Sequence, residues 1–263
     1  MKTIDRQFIG GWYKDKPDKR DYLYRVFKLT LPSILPPRID MRNKCSAIED
    51  QGNLGSCTAH AGVGNIEFVD LLDPGYREAS KLFLYYVTRY LLGTVNEDSG
   101  AYLRTTAKAA AQFGVCNEKD WPYIIRKFAV KPTDSCYEDA LKHRVTHYFR
   151  LTSLYELKSC LAEGYPFMFG FTVYRSCLTK KVTATGKIPF PSWWDKIRGS
   201  IGGHAILAVG YDDNMSIGNY KGALLIRNSW GTGWGEQGYG WLPYNYIKTG
   251  LANDFWTVRK IEE

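Results

Sequence analysis

Long apolar runs are missing from this chain. Its N-terminus, MKTIDRQFIGGWYKDKP, holds no stretch of signal-peptide length. The longest apolar windows elsewhere, such as Ala205 to Val209, are core-strand size and far short of a membrane span. Either the protein stays in the cytoplasm, the favoured reading, or a leader has already been removed or was never needed; no membrane partner is expected. Repeats are absent too, and the 25 glycines and 11 prolines are spread without the period or tract of a collagen or a flexible linker. Histidine is scarce, at four residues. His143 and His147, four apart, lie outside any HExxH motif and lack an evident third ligand, so no metal or organic cofactor is expected. Cysteine is limited to Cys45, Cys57, Cys116, Cys136, Cys160 and Cys177. If Cys57 must stay a thiol, the remaining five cannot all pair internally, which favours a reducing compartment. The formal charge of +8 admits acidic partners. The basic residues read as scattered, apart from a run at Lys14, Lys16, Lys19 and Arg20, and no helix-turn-helix, paired-cysteine zinc spacing or basic-aromatic repeat accompanies them. No specific nucleic acid is expected.

What is present is a core-forming composition, 44% hydrophobic and 15% aromatic, in 263 residues. That length suits one large domain or two small ones packed together. Residues 1–38 are rich in charge, aromatics and proline. Pro32, Pro36 and Pro37 favour an extended path, so the segment reads as a strap anchored by Trp12, Tyr13, Tyr22 and Tyr24. It is either a structural arm or a regulator lying near a cleft. From Cys57 the run CTAHAGVGNIEFVDLL has apolar residues at helical spacing and stops before Asp73-Pro74-Gly75. Further helices are predicted over Ala79–Tyr90 and Tyr102–Phe113. The second half changes period: Pro166–Val173, His204–Tyr211, Ala223–Arg227 and Tyr239–Leu242 read as strands. The long connection from Ser176 to Gly203 carries Phe190, Trp193 and Trp194, which either rim a substrate site or cover the β lobe. Helices followed by strands predict an α+β protein with a cleft between two lobes. The helical lobe would lie mainly in 45–150 and the β-rich lobe mainly in 151–263, within a body spanning 39–263.

Four residues carry chemistry together. A cysteine thiolate is a strong nucleophile, but an ordinary thiol is mostly protonated at neutral pH. Cys57 at the start of a helix would face unpaired backbone N–H groups and the positive end of the aligned peptide dipoles, which favour the thiolate. An imidazolium at His204 would add a second stabilising charge and supply a proton to the leaving amine. Asn228 can accept the other imidazole N–H and hold the ring toward sulfur. Gln51 can aim its amide N–H at a developing oxyanion, beside the Cys57 backbone N–H. His60, three residues past Cys57, would reach the same helix face, but it lacks an orienting partner and reads as a packed or surface histidine.

The wording around these residues is specific. Gln51-Gly52-Asn53-Leu54-Gly55-Ser56-Cys57, Gly203-His204-Ala205 and Asn228-Ser229-Trp230-Gly231-Thr232-Gly233-Trp234-Gly235 resemble the papain-like cysteine peptidase family, in that family's order and over about 40–244. The resemblance implies a papain-like fold, with a helical left lobe and a β-barrel-like right lobe around a cleft. It implies a cysteine endopeptidase that hydrolyses peptide bonds through a thioester on Cys57, with His204 as acid/base, Asn228 as its orienting residue and Gln51 as oxyanion donor. Trp230 would shield the Asn228–His204 hydrogen bond, and Trp234 would support the primed side. Met168 and Gly170 would border the pocket for the second residue before the scissile bond. Gly100 would pair with extended substrate, and Gly203 would join the substrate-binding set. Leu54 and Thr58 stand where the family commonly has a cysteine and an aromatic, a wording closer to its bacterial and other divergent branches. No long helical propeptide precedes the body, so autoinhibition would fall to the short strap. The expected partners are peptide or protein substrates and the chain's own N-terminal segment. Passing the acyl group to an amine, and a retired scaffold that only binds, are the alternatives.

Overall fold

Two hydrophobic periods build two layers. The computed structural model describes residues 10–27, 34–71 and 77–261. The Asp73-Pro74-Gly75 stop and Pro32 lie outside the described residues. In chain order the elements are β1 (Trp12–Tyr13), α1 (Tyr24–Phe27), β2 (Arg38–Asp40), α2 (Cys57–Asp70), α3 (Lys81–Leu92), β3 (Ala101–Tyr102), α4 (Leu103–Phe113), α5 (Asp134–Ala140), β4 (Val145–Leu151), α6 (Leu154–Ala162), β5 (Phe167–Val173), α7 (Lys180–Thr185), α8 (Trp193–Arg198), β6 (Gly202–Ile217), β7 (Tyr220–Arg227), β8 (Tyr239–Pro243), α9 (Asn245–Lys248) and β9 (Ala252–Ile261).

Helix α2 is buried from Cys57 through Val69. A helix covered on every side belongs in an interior, and this one packs against α3, β6 and β9. Helix α3 starts where the Ser80 hydroxyl accepts from the Phe83 N–H and stops at Gly93, whose positive φ of 73° closes the last turn. Its apolar side joins α2 and α4 in a helical core that includes Ile66, Leu82, Phe83 and Val87.

The sheet has seven strands in the order β4-β9-β5-β6-β7-β8, with β2 added beside β6. Every pairing in it is antiparallel. This overturns the expected β-barrel-like lobe: the path is open, running from β4 at one end to β8 at the other without a pairing between them. Closure is one way of removing exposed strand edges, and covering them is another. Here the outer edge of β4 is met by the N-terminal segment, where the Arg150 N–H donates to the Tyr22 carbonyl at 2.7 Å and Leu23 bridges to Arg150. The β8 edge is met at Trp241 by Lys187. One sheet face packs over Phe167, Phe169, Phe171, Ile206 and Leu224. A third apolar layer, with Cys57, Ala61, Leu103, Met168, Ala205 and Trp256, joins the sheet to α2 and α4.

Strap anchoring divides by side chain. Trp12 and Tyr24 are buried, with Tyr24 in the sheet-side core. Tyr13 and Tyr22, expected as anchors, are exposed. Among the described residues, no helix is long and apolar enough to cross a membrane.

Candidate active site

Cys57 is the first residue of α2, with Ser56 as its N-cap. His204 lies in β6, directly across from Phe171 of β5, and Asn228 directly follows β7. The β6–β7 pairing brings these two side chains together: His204 Nε2 is 2.8 Å from Asn228 Oδ1. The Ser229 backbone N–H donates to that same Asn228 atom at 2.8 Å, which identifies it as the amide oxygen. His204 Nε2 therefore carries a hydrogen, and Nδ1 is the ring nitrogen available for proton exchange. Trp230 stacks on the imidazole at 4.7 Å between centroids and 25° between planes. Trp234 in turn meets Trp230 edge-on at 5.8 Å. Next to His204, the Ala205 backbone N–H is directed at the Cys57 sulfur.

Gln51 is held on both ends of its amide. Its Nε2 donates to the Leu54 carbonyl at 2.9 Å, and its Oε1 accepts from the Ser229 hydroxyl at 2.6 Å. The Gln51 backbone N–H donates to the Ser229 carbonyl. The loop before α2 is thus tied to the loop after β7, and Gln51, Asn228 and Ser229 form one hydrogen-bonded group.

The N-terminal segment lies over Cys57 and Gly203. The Gly11 N–H donates to the Gly203 carbonyl at 3.2 Å, and the Ala101 N–H donates to the Gly11 carbonyl at 2.8 Å. Strands β1 and β3 run parallel from Trp12↔Ala101. The Gly11 N–H is also directed at the Cys57 sulfur. The Trp12 indole rests where glycine leaves room for it: a Cβ on Gly170 would fall 2.0 Å from Trp12 Cε2, and one on Gly203 would fall 2.5 Å from Cε3. Trp12 shares its apolar layer with Met168 and Cys57, and Gly100 approaches the Gly11 carbonyl. Gly100, Met168, Gly170 and Gly203 thus converge on Gly11 and Trp12, whereas Trp230 and Trp234 gather on the far side of His204.

Cys57 is consequently 0% exposed, and its thiol is pushed up to about 12, chiefly by burial. Backbone N–H groups of Ala205, Gly11, Thr58 and Cys57 pull in the other direction without prevailing. Burial outweighs the thiolate-favouring environment expected at the helix start.

Farther along, the strap is latched by a buried ionic group that sequence reasoning missed. The Asp15 N–H donates to Asp254 Oδ2 at 2.7 Å, and Trp256 Nε1 donates to Asp15 Oδ2 at 3.1 Å. Asp21 accepts two 2.7 Å bonds from Arg104 and one of 2.6 Å from Arg150, which also reaches Asp254 at 3.1 Å. Burial raises both facing carboxyls: Asp15 goes up, and Asp254 goes up to about 6, where Asp15 is its second cause. Sequence gives no local signal for this ionic group: Asp21 and Asp15 find their partners 83 to 241 residues away, whereas Asp18, between them, pairs with Arg20 two residues on.

His60 belongs to a different, polar interior group. Its Nδ1 lies 3.1 Å from the Ser56 carbonyl, its Nε2 is 3.8 Å from Glu49, and its ring meets Tyr123 edge-on. Burial pushes it down to about 3, so it is a neutral packing residue at ordinary pH. His143 pairs with Asp139 at 3.9 Å, and His147 stacks near Phe149. Among the described residues, no group of three or more His, Cys, Asp or Glu could hold a metal ion. All six cysteines are free thiols.

A cysteine at the head of a central helix, with its sulfur beside the strand that carries a hydrogen-bonded histidine–asparagine pair, is the arrangement of a cysteine-type peptidase. The model of the papain family cysteine proteases matches residues 35–258, and the chain belongs to that family; it is a cysteine endopeptidase. It is 35% identical over 288 residues to an uncharacterized peptidase C1-like protein of Acanthamoeba polyphaga mimivirus, covering 99% of this chain and 89% of that one. It is 29% identical to chymopapain of Carica papaya over 84% of this chain, but spans only 57% of that protein's length. Among solved structures, xylellain, a cysteine protease from Xylella fastidiosa, superposes with a TM-score of 0.84 at 39% identity, covering 95% of this chain and 96% of that one. A digestive procathepsin L 3 of Tenebrio molitor, at 20% identity and TM-score 0.67, shares the fold.

Proposed function

We propose that Cys57 is the nucleophile of this endopeptidase and that the N-terminal segment holds it latent until displaced. In the open enzyme His204 takes the Cys57 proton through Nδ1, giving a thiolate–imidazolium pair. The thiolate attacks the substrate carbonyl carbon. The resulting oxyanion is stabilised by the Cys57 backbone N–H at the helix start and by the Gln51 side-chain amide. His204 then protonates the leaving amine, the C–N bond breaks, and a thioester remains. Water, losing its proton to His204, hydrolyses that thioester and restores the thiol. Asn228 keeps the imidazole turned toward sulfur throughout, and Trp230 keeps water off the Asn228–His204 bond. The observation carrying the catalytic reading is the His204 Nε2–Asn228 Oδ1 contact beside Cys57.

Latency rests on the complete burial of Cys57 beneath Gly11 and Trp12. The strap is also a poor substrate. It directs the Gly11 N–H at the sulfur, and the Gly11 carbonyl is engaged by the Ala101 N–H, away from the oxyanion donors proposed at Cys57 and Gln51. Body residues proposed to bind substrate, namely Gly100, Met168, Gly170 and Gly203, would be released together when Trp12 leaves. The preferred substrate is a peptide with an apolar residue in the Trp12 position.

The test is labelling with a peptidyl epoxide followed by mass spectrometry. The full chain should label slowly at Cys57 and a strap-weakened chain rapidly, with loss of labelling in Cys57→Ala. Equal rates in the full and strap-weakened chains would remove the latency reading and leave the catalytic one standing.

A further inference from the structure

Between β5 and β6 the chain leaves the sheet over residues 174–201, and that excursion is strongly basic. It holds Arg175, Lys180, Lys181, Lys187, Lys196 and Arg198 against a single acid, Asp195, a net +5 of the chain's +8. All six cations are exposed, and none makes an ion pair among the described residues. Most of the net charge of the chain thus falls within this one connection.

The apolar residues here are exposed as well. Trp193 is 65% exposed, Trp194 62% and Ile197 57%, all on the short helix α8, and Leu178 in the preceding 3-10 turn is exposed beside Arg175. Helix α8 is held in place from beneath. Ser192 and Asp195 form a reciprocal capping box, the Ser176 backbone N–H also reaches the Asp195 carboxylate, and the Lys196 ammonium lies 5.2 Å over the Phe190 ring. Phe190 itself packs on Tyr220 and Tyr246. Phe190 therefore covers the β lobe, whereas the two tryptophans stand clear of it. A fixed helix that turns two indoles and an isoleucine to water has no folding reason to do so.

We propose that this connection docks the protein peripherally on an anionic lipid bilayer, with Trp193, Trp194 and Ile197 entering the headgroup region and the surrounding cations engaging lipid phosphates. Indoles favour the water–hydrocarbon boundary, where their N–H stays wet and their rings do not. Neighbouring Lys and Arg supply attraction to negative headgroups, about fivefold in partitioning for each cation near the surface. Lying on a membrane makes no demand for a spanning helix, and this revises the expectation of no membrane partner. Single-stranded nucleic acid is the competing occupant for a basic, aromatic surface, but stacking on bases needs open ring faces. The two indoles are edge-to-face at 4.6 Å and 72°, so one ring face is covered by its neighbour, and Ile197 adds aliphatic surface that bases do not use. The connection leads directly into Gly202, Gly203 and His204 of β6, so docking would hold the His204 side of the cleft near the bilayer.

The test is co-sedimentation of the full chain with vesicles of phosphatidylcholine alone and with added phosphatidylglycerol, monitoring tryptophan fluorescence. Binding to the anionic vesicles with a blue shift is expected, falling at least tenfold in Trp193→Ala/Trp194→Ala and similarly in Lys196→Glu/Arg198→Glu. These positions are exposed, so circular dichroism should match the unaltered chain. The proposal is overturned by no binding to anionic vesicles. It is also overturned by binding that the tryptophan pair does not affect, which reflects net charge alone. Stronger binding of a single-stranded oligonucleotide that competes the vesicles away would instead assign the surface to nucleic acid.

Discussion

Replacing Trp12 by alanine should switch the enzyme on without touching a catalytic group. Burying an indole removes roughly 150–250 Å² from water, about 4–6 kcal/mol at ~25 cal/mol per Å². Against that, the Trp12 indole N–H is buried without a hydrogen-bond partner among the described residues, which costs about 1–3 kcal/mol. The remainder, about 3 kcal/mol, corresponds to roughly a 100-fold change in the open population. The assay is the second-order rate of Cys57 alkylation by iodoacetamide, a probe small enough to report exposure and not subsite fit. Trp12→Ala should label about 100-fold faster than the unaltered chain, and Tyr13→Ala, an exposed neighbour on the same strand, within twofold of it. An unchanged Trp12→Ala rate in a folded protein would refute the reasoning, because the indole could not then be what keeps the strap closed. Substitution is preferable to deleting residues 1–38, since that deletion also removes Tyr24 from the core.

Further outcomes follow from the same contacts. The facing Asp15 and Asp254 carboxyls have raised pKa values in the closed state, Asp254 to about 6 against an ordinary 3.8. The closed form therefore holds protons more tightly, is favoured in acid, and loses that advantage as pH rises through about 6. The advantage is at most about 3 kcal/mol, and it is moderated by Arg150, Arg104 and Asp21 around the pair. Labelling of the full chain should gain an extra rise over that interval relative to Trp12→Ala; Asp254→Asn should abolish the extra rise, and its persistence would exonerate the pair. Asn228→Ala in the Trp12→Ala background should lower kcat roughly 10- to 100-fold with little change in KM, read by peptide hydrolysis. His60→Ala should lower stability by about 1–3 kcal/mol in urea unfolding while leaving Cys57 labelling within twofold.

The helices and strands with a clean period were legible from residues alone. Helices α3 and α4 fall close to their expected bounds, and β5 to β8 each overlap an expected strand. Strands β4 and β9 escaped notice for physical reasons. VTHYFRL alternates buried and polar positions imperfectly, and β9 is interrupted by Asp254 at a positive φ of 58°. The barrel expectation failed because strand order and edge covering depend on partners such as Tyr22 and Lys187 that local sequence does not reveal. For the site, Gln51, Cys57, His204 and Asn228 were marked by their flanking motifs. The burial of Cys57, with Gly11 from 46 residues upstream against its sulfur, could be read only from the fold. Trp12 was visible as an anchor, but its seat over two glycines could come only from the fold.

The most direct measurement is the site and rate of peptidyl epoxide addition in the Trp12→Ala chain, compared with the same chain carrying His204→Ala. The account predicts one adduct, on Cys57, formed at least 100-fold more slowly without the imidazole. An adduct on another cysteine, or equal rates with and without His204, would contradict it.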